Sequence, residues 1–201
     1  MYWSSAAAPL YTTFNGYGVM RTTPTLATLN AISSQTYNNL PTGSQSYSVV
    51  AVFKPNSVAS KVLFTAGSIV GGERQKVHSI CIGSNLTFVG GTYPALGTWS
   101  SSVGTSPSTS QYVVMVTTFD GTTERVYING VFEKSATMTP AIPVSASNKV
   151  VLGWPDNIAF NMDADVGAVL MYNRALSSSE AAQMYGTFAL RFAMPTSGTN
   201  V

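Results

Sequence analysis

The sequence is poor in charge, in histidine and in cysteine, and each shortage closes off a class of function. Asp, Glu, Lys and Arg together make up 9% of the 201 residues, against roughly 25% in ordinary soluble domains. Ten basic residues set against eight acidic ones leave a formal net charge of +2. No basic run or helix gathers them, so the field that collects phosphates is missing and no nucleic-acid partner is expected. The one histidine, His78, has no sequence partner for a Ser-His-acid system. With Cys81 as its one cysteine the chain has neither an intrachain disulfide nor the ligands of a zinc site. Cys81 lies in the run His78-Ser79-Ile80-Cys81-Ile82, where a thiol reads as a small buried hydrophobe. Nowhere do about 18 apolar residues follow one another. The opening Met1 to Leu10 has neither basic residues nor a continuous apolar stretch, so neither a signal segment nor membrane insertion is expected.

What is present is apolar and hydroxylic. Hydrophobic residues make up 45% and aromatic residues 11%, enough apolar area to offset chain entropy in one domain. Ser and Thr supply about a quarter of the chain, so the surface is hydroxyl-rich and nearly neutral. Weak charge repulsion suits a protein packed in an assembly.

Short apolar runs between turn signals predict an all-β fold. The strands are expected at 46–55, 61–67, 77–82, 86–89, 112–119, 124–128, 131–134, 149–153 and 164–172, enough for two stacked sheets. Asn129-Gly130 supplies the positive φ angles of a type I′ hairpin, and Asp120-Gly121 marks a second turn, so 112–134 reads as a three-stranded meander. One helix is expected at 177–185, with Ser177 as cap and Glu180 closing a capping box. The first 45 residues are less regular: strand-like stretches at 11–14 and 18–21 precede a Thr/Asn/Ser/Pro-rich segment at 22–45. The expected division is an N-terminal arm and irregular opening at 1–45, a sandwich at 46–192 and a tail at 193–201.

Two central strands are apolar on both faces. Val49, Ala51 and Phe53 alternate with Val50 and Val52, while Tyr112, Val114 and Val116 alternate with Val113, Met115 and Phe119. Something must cover the outer face, either long loops of the same chain or a neighbouring subunit. An outer face lined by Val50, Val113 and Met115 would favour assembly, and in the arm Tyr2, Trp3 and Leu10 are candidate anchors for another subunit.

Several segments, in order, resemble the concanavalin A-like lectin/glucanase superfamily in its laminin G-like, pentraxin-like branches. These are Ser46 to Pro55 (SYSVVAVFKP), Lys61 to Gly67, and Val116 to Gly121 followed by Arg125-Val-Tyr-Ile-Asn-Gly-Val131. The closing block is Val151-Leu-Gly-Trp154 with Asp165 to Ser177, which includes the "YNRALS" run, and Glu180. The resemblance covers roughly 46–188 and implies a two-sheet antiparallel jelly-roll sandwich with one short C-terminal helix. Glucanases of that superfamily carry Glu-x-Asp-x-x-Glu on one strand, with the carboxyls about 5 Å apart. This chain has no such motif, and its one same-face acidic strand pair is Asp163 with Asp165, so no catalytic residues and no enzyme activity are expected.

The resemblance also raises calcium, which relatives hold at a sandwich rim through oxygen donors. Asp156, Asn157, Asn161 and Asp163 form a loop cluster of such donors, although Asn and Asp serve ordinary turns equally well. No other cofactor is implied. Sugar recognition in such folds uses aromatic rings beside polar side chains, and Tyr93, Trp99, Trp154 and Asn157 are the candidates. Two functional expectations result. The first is a structural or interaction protein at a virion surface, a capsid-decorating, cement or fibre-head domain contacting other subunits or a homo-oligomer, and glycans besides. The alternative is a carbohydrate-binding lectin module, virion-borne or extracellular, acting in adhesion.

Overall fold

The computed structural model describes residues 10–22, 40–59, 61–68, 76–82, 88–93, 106–137, 148–153 and 162–195. Among the described residues eleven strands and one helix follow in order: β1 (Leu10–Phe14), β2 (Tyr17–Thr22), β3 (Tyr47–Pro55), β4 (Lys61–Ser68), β5 (Lys76–Ile82), β6 (Phe88–Tyr93), β7 (Val113–Phe119), β8 (Thr123–Ile128), β9 (Val131–Thr137), β10 (Asn148–Leu152), β11 (Ala164–Tyr172) and α1 (Ser178–Arg191). A seven-stranded sheet runs β1-β2-β11-β3-β7-β8-β9 and a four-stranded sheet runs β10-β4-β5-β6. All pairs are antiparallel.

The main core lies between the sheets. Strand alternation sends Val49, Ala51 and Phe53 from β3, and Val113 and Met115 from β7, onto Leu63, Phe64, Ile80 and Ile82 of the smaller sheet. The opposite faces of β3 and β7 carry Val50, Val52, Val114 and Val116, which pack with Ala181, Tyr185, Phe188 and Ala189 of α1 and with Phe192 and Met194 beyond it. The two-faced strands are thus covered by the chain's own C-terminal helix. Val113 and Met115, expected on the outer face with Val50, belong to the inner core, because the pleat sets them opposite Phe53 and Ala51.

Helix α1 starts where its capping box predicts. Ser177 Oγ accepts the N–H of Glu180, and the Glu180 carboxylate accepts the N–H of Ser177 at 2.8 Å. The helix runs on to Arg191, beyond the expected end at 185, because Phe188 and Ala189 continue its buried stripe. It ends in a Schellman turn: Ala193 has φ 49° and Met194 N donates to Ala189 O at 3.0 Å. The turn brings Phe192 and Met194 back onto the sheet, and Tyr185 Oη donates to Pro195 O. The Phe192 ring abuts Gly167, the bulge residue of β11, where an added Cβ would meet the ring at 2.3 Å. Only glycine leaves room there.

The domain borders shift accordingly. β1 and β2 form a hairpin around Asn15-Gly16 and β2 pairs with β11, so 10–22 belongs to the larger sheet rather than to an arm preceding it. Residues 193–194 likewise belong to the cover and not to a tail. Asn129 and Gly130 have φ 51° and 80°, the type I′ turn expected of them.

Candidate functional site

At one rim β2 and β3 end and β11 begins. It holds the residues on either side of 154–161. Gly153 N donates to Leu63 O at 2.6 Å and Met162 N to Val62 O at 2.9 Å, so consecutive peptide groups of β4 grip the two flanks of that segment. Thr65 Oγ1 donates to Gly153 O at 2.9 Å. On the far flank Thr22 Oγ1 donates to Met162 O at 2.7 Å and accepts the Ala164 N–H at 3.1 Å. Asn56 clasps Asp163 twice, N to O at 2.8 Å and Nδ2 to Oδ1 at 2.9 Å.

Beside this clasp a charged row crosses the sheet, because the register sets Arg21 and Lys54 on either side of Asp165. Arg21 donates to Asp165 from Nε at 2.6 Å and Nη2 at 2.9 Å, and Lys54 Nζ stands 3.3 Å from the other side. The Arg21 hydrogen bonds hold the Asp165 carboxyl below its ordinary range, and the same bonds raise Arg21. Lys54 Nζ also lies 5.9 Å from the ring centre of Tyr112, whose hydroxyl burial pushes up to about 12. Asp165 is therefore an ion-paired anchor joining three strands, closed to general-acid work. Asp163, its same-face neighbour, keeps one carboxylate oxygen on Asn56.

Of the residues expected to bind sugar, Trp99, Trp154 and Asn157 lie outside the described residues. Tyr93 ends β6 opposite Val77, while β10, which precedes Gly153 and Trp154 in the chain, ends at Leu152 opposite Phe64. These strand ends stand at different corners of the smaller sheet, about 10 Å apart along the strands and about 14 Å across them. Of the expected calcium donors, Asp156, Asn157 and Asn161 lie outside the described residues and Asp163 is in the rim. Among the described residues no group of three His, Cys, Asp or Glu side chains could hold a metal. Tyr2 and Trp3 also lie outside the described residues, and Leu10 is the first residue of β1, paired with Arg21.

The interior holds a polar cluster that sequence reasoning passed over. His78 on β5 is fully buried, with Nε2 2.8 Å from Thr117 Oγ1 and Nδ1 3.2 Å from Tyr47 Oη. A neutral imidazole satisfies both, donating from one nitrogen and accepting at the other. Glu124 Oε1 lies 3.4 Å from Nδ1 and favours the imidazolium, but with the ring wholly out of water desolvation dominates and lowers His78 to about 3. Burial likewise holds the Tyr47 hydroxyl protonated, helped by the charge of Glu124. The signal was a His and a Glu in strands that also carry Ile80 and Ile82, and Val126, Tyr127 and Ile128. Cys81 is buried, as expected, and its thiol is pushed up by the loss of water.

Asp120 and Glu180 serve structure too. Asp120 accepts from Arg125 Nη1 at 2.7 Å and from the amides of Thr122 and Thr123, and it is held far below the usual range, chiefly by Arg125. Glu180 is engaged by Arg174 and by the capping box.

The chain resembles several solved structures at low identity. A heptameric SAP-like pentraxin from Limulus polyphemus matches with TM-score 0.58 and 18% identity, over 76% of this chain and 73% of that one. Domain 4 of AbnA, an extracellular arabinanase from Geobacillus stearothermophilus solved in complex with arabinotriose, matches with TM-score 0.57 and 19% identity, over 90% and 82%. The binding domain of Paraclostridial Mosquitocidal Protein 1 matches with TM-score 0.65 and 12% identity over 93% of this chain, which spans only 47% of that one. Sialidase structures from Trypanosoma rangeli also match, but this chain spans only 23–28% of their length. No curated protein matches the sequence. Residues 28–182 match the laminin G-like family model of the concanavalin A-like lectin/glucanases superfamily, and with its two antiparallel sheets the chain belongs to that family, whose jelly-roll is a lectin-like binding fold.

Proposed function

We propose that this domain is a non-catalytic carbohydrate-binding module that takes a glycan at the rim carrying 154–161. The observation that carries the reading is the double grip on the residues flanking that segment. Val62 and Leu63 hold Met162 and Gly153 side by side, and the Asn56–Asp163 clasp fixes the residue that follows. The segment bearing Trp154, Asp156, Asn157 and Asn161 thereby begins and ends on fixed residues, which supports a lower entropic cost of binding. Support comes also from AbnA domain 4, a similar fold solved with arabinotriose. The test is a glycan array followed by calorimetry on arabino-oligosaccharides, each run with calcium and with chelator. Trp154→Ala should weaken binding at least about tenfold, the loss of one good aromatic contact, with the melting temperature unchanged. A wild type that binds no glycan under either condition sinks the reading.

The virion-surface or extracellular assembly reading keeps two supports, the charge-poor composition and the likeness to a pentraxin that is heptameric. It loses the argument from two-faced strands, since α1 covers them. Light scattering on the full chain and on a chain lacking 1–9 tests it. A strictly monomeric full chain at high concentration defeats it.

A further inference from the structure

The chain contains two Asn-Gly pairs, Asn15-Gly16 and Asn129-Gly130. Both make hairpin turns in the left-handed region, with φ of 50° and 78° in the first and 51° and 80° in the second. Their surroundings differ. Asn129 is half-buried, its Oδ1 accepts the Val114 N–H at 3.0 Å, and its own N–H donates to Val114 O at 2.8 Å. A Cβ on Gly130 would come within 3.1 Å of Ala182 Cα and of Tyr185 Cβ, so α1 sits on that turn. Asn15 is exposed, and its side chain makes one long hydrogen bond, Nδ2 to Arg191 O at 3.5 Å. A Cβ on Gly16 would meet nothing within 4 Å, and β1 is an edge strand.

We propose that Asn15-Gly16 is a site of spontaneous deamidation, and that the fold shields Asn129-Gly130 from the same reaction. The backbone nitrogen of Gly16 attacks Cγ of Asn15. The new N–Cγ bond forms, the Cγ–Nδ2 bond breaks, and the displaced amide leaves as ammonia with the Gly16 amide proton, closing a cyclic imide. Water then adds to one of the two ring carbonyls and opens the ring to aspartate or isoaspartate. No electrons are exchanged, and water is the only co-reactant. Glycine permits the attack because no side chain crowds its nitrogen.

The attack requires Asn15 to leave its turn geometry, so the rate follows local opening. At Asn15 opening breaks one long hydrogen bond at a sheet edge. At Asn129 it breaks two bonds to Val114 and displaces the helix above. The product replaces a donor facing Arg191 O with a carboxylate, which that carbonyl repels. Isoaspartate also lengthens the turn backbone by a methylene and disturbs the β1–β2 register. The reaction is thus an irreversible timer on one edge of the larger sheet.

The intact protein is incubated in mildly alkaline buffer and sampled by peptide mapping that separates the Asn, Asp and isoaspartate forms. Asn15 should convert at least about tenfold faster than Asn129, the ratio given by about 1.4 kcal/mol of extra opening cost. In denaturant both sites should convert at similar rates. Equal rates in the folded protein, faster conversion at Asn129, or an inert Asn15 in a protein whose denatured form converts, would each overturn the proposal.

Discussion

The two faces of the central strands β3 and β7 are both buried, but against unlike partners. The inner face meets the four-stranded sheet over a wide cluster and encloses His78, Tyr47, Thr117 and Glu124 in its midst. The outer face meets one helix and the turn after it, through side chains that are almost all apolar and that converge on Phe192. Phe192 touches Phe14, Tyr17, Tyr112 and Phe188, and rests on Gly167. The outer face should therefore answer chiefly to loss of volume, its Asp165 and Glu180 carboxylates losing their pairing only below the ordinary carboxylate range. The inner face should answer to protons.

The largest expected effect breaks the outer face. Phe192→Ala removes a ring buried among four others above a glycine, and nothing nearby can fill the space. Denaturant titration should show a loss of about 3–5 kcal/mol. A loss under about 1 kcal/mol would mean that α1 is not an integral cover.

The inner face is sharpened by pH. His78 titrates at about 3 in the fold, below the ordinary 6.5 of the unfolded chain. Between those values the unfolded state binds more protons. Stability is therefore complete above about pH 6.5 and falls as pH drops toward 3, by on the order of 4 kcal/mol in all. Asp120, Asp165 and Glu180 also titrate low, so their contributions are lost only below the ordinary carboxylate range. Between pH 6.5 and about 4.5 the fall belongs to His78. His78→Gln, whose amide can face Tyr47 and Thr117, should flatten the stability curve in that window. Parallel curves for wild type and variant would refute the assignment.

The smallest effect returns to the helix end. Ala193 holds φ 49° in a turn that glycine prefers. Ala193→Gly should raise stability by about 0.5–1 kcal/mol, because the left-handed cost disappears and offsets the added freedom of the unfolded chain. A thermal melt with no rise, or with a fall, would show that the turn is held by Phe192 and Met194 alone.

Much of the fold was legible. Alternating apolar runs located the strands from β3 to β5 and from β7 to β11 within a few residues, and Asn129-Gly130 and Ser177 with Glu180 gave a turn and a helix start through local chemistry. The strand-like stretches at 11–14 and 18–21 are β1 and β2, but the Asn15-Gly16 turn that joins them was passed over, because both strands are too short and polar to show a firm period. The length of α1 was underestimated because its last turns are specified by contacts with the sheet. Of the candidate site, Asp163 and the loop ahead of it were readable as an oxygen-rich stretch. The clasp by Asn56 and the grip by β4 were not, since those partners lie about 100 residues away in sequence.

By itself the sequence determined which segments become strands, where two turns reverse the chain and where the helix begins, because period, turn residues and capping act between neighbours along the chain. It also determined that both faces of β3 and β7 must be covered. Only the tertiary structure decided what covers them, which of Val50, Val113 and Met115 faces which partner, and that Gly167 is the seat of Phe192. It alone placed Arg21 and Lys54 about Asp165, and Tyr47, Thr117 and Glu124 about His78. Those meetings depend on strand order and register, which no local pattern records, and desolvation then fixes which of the assembled groups carry charge.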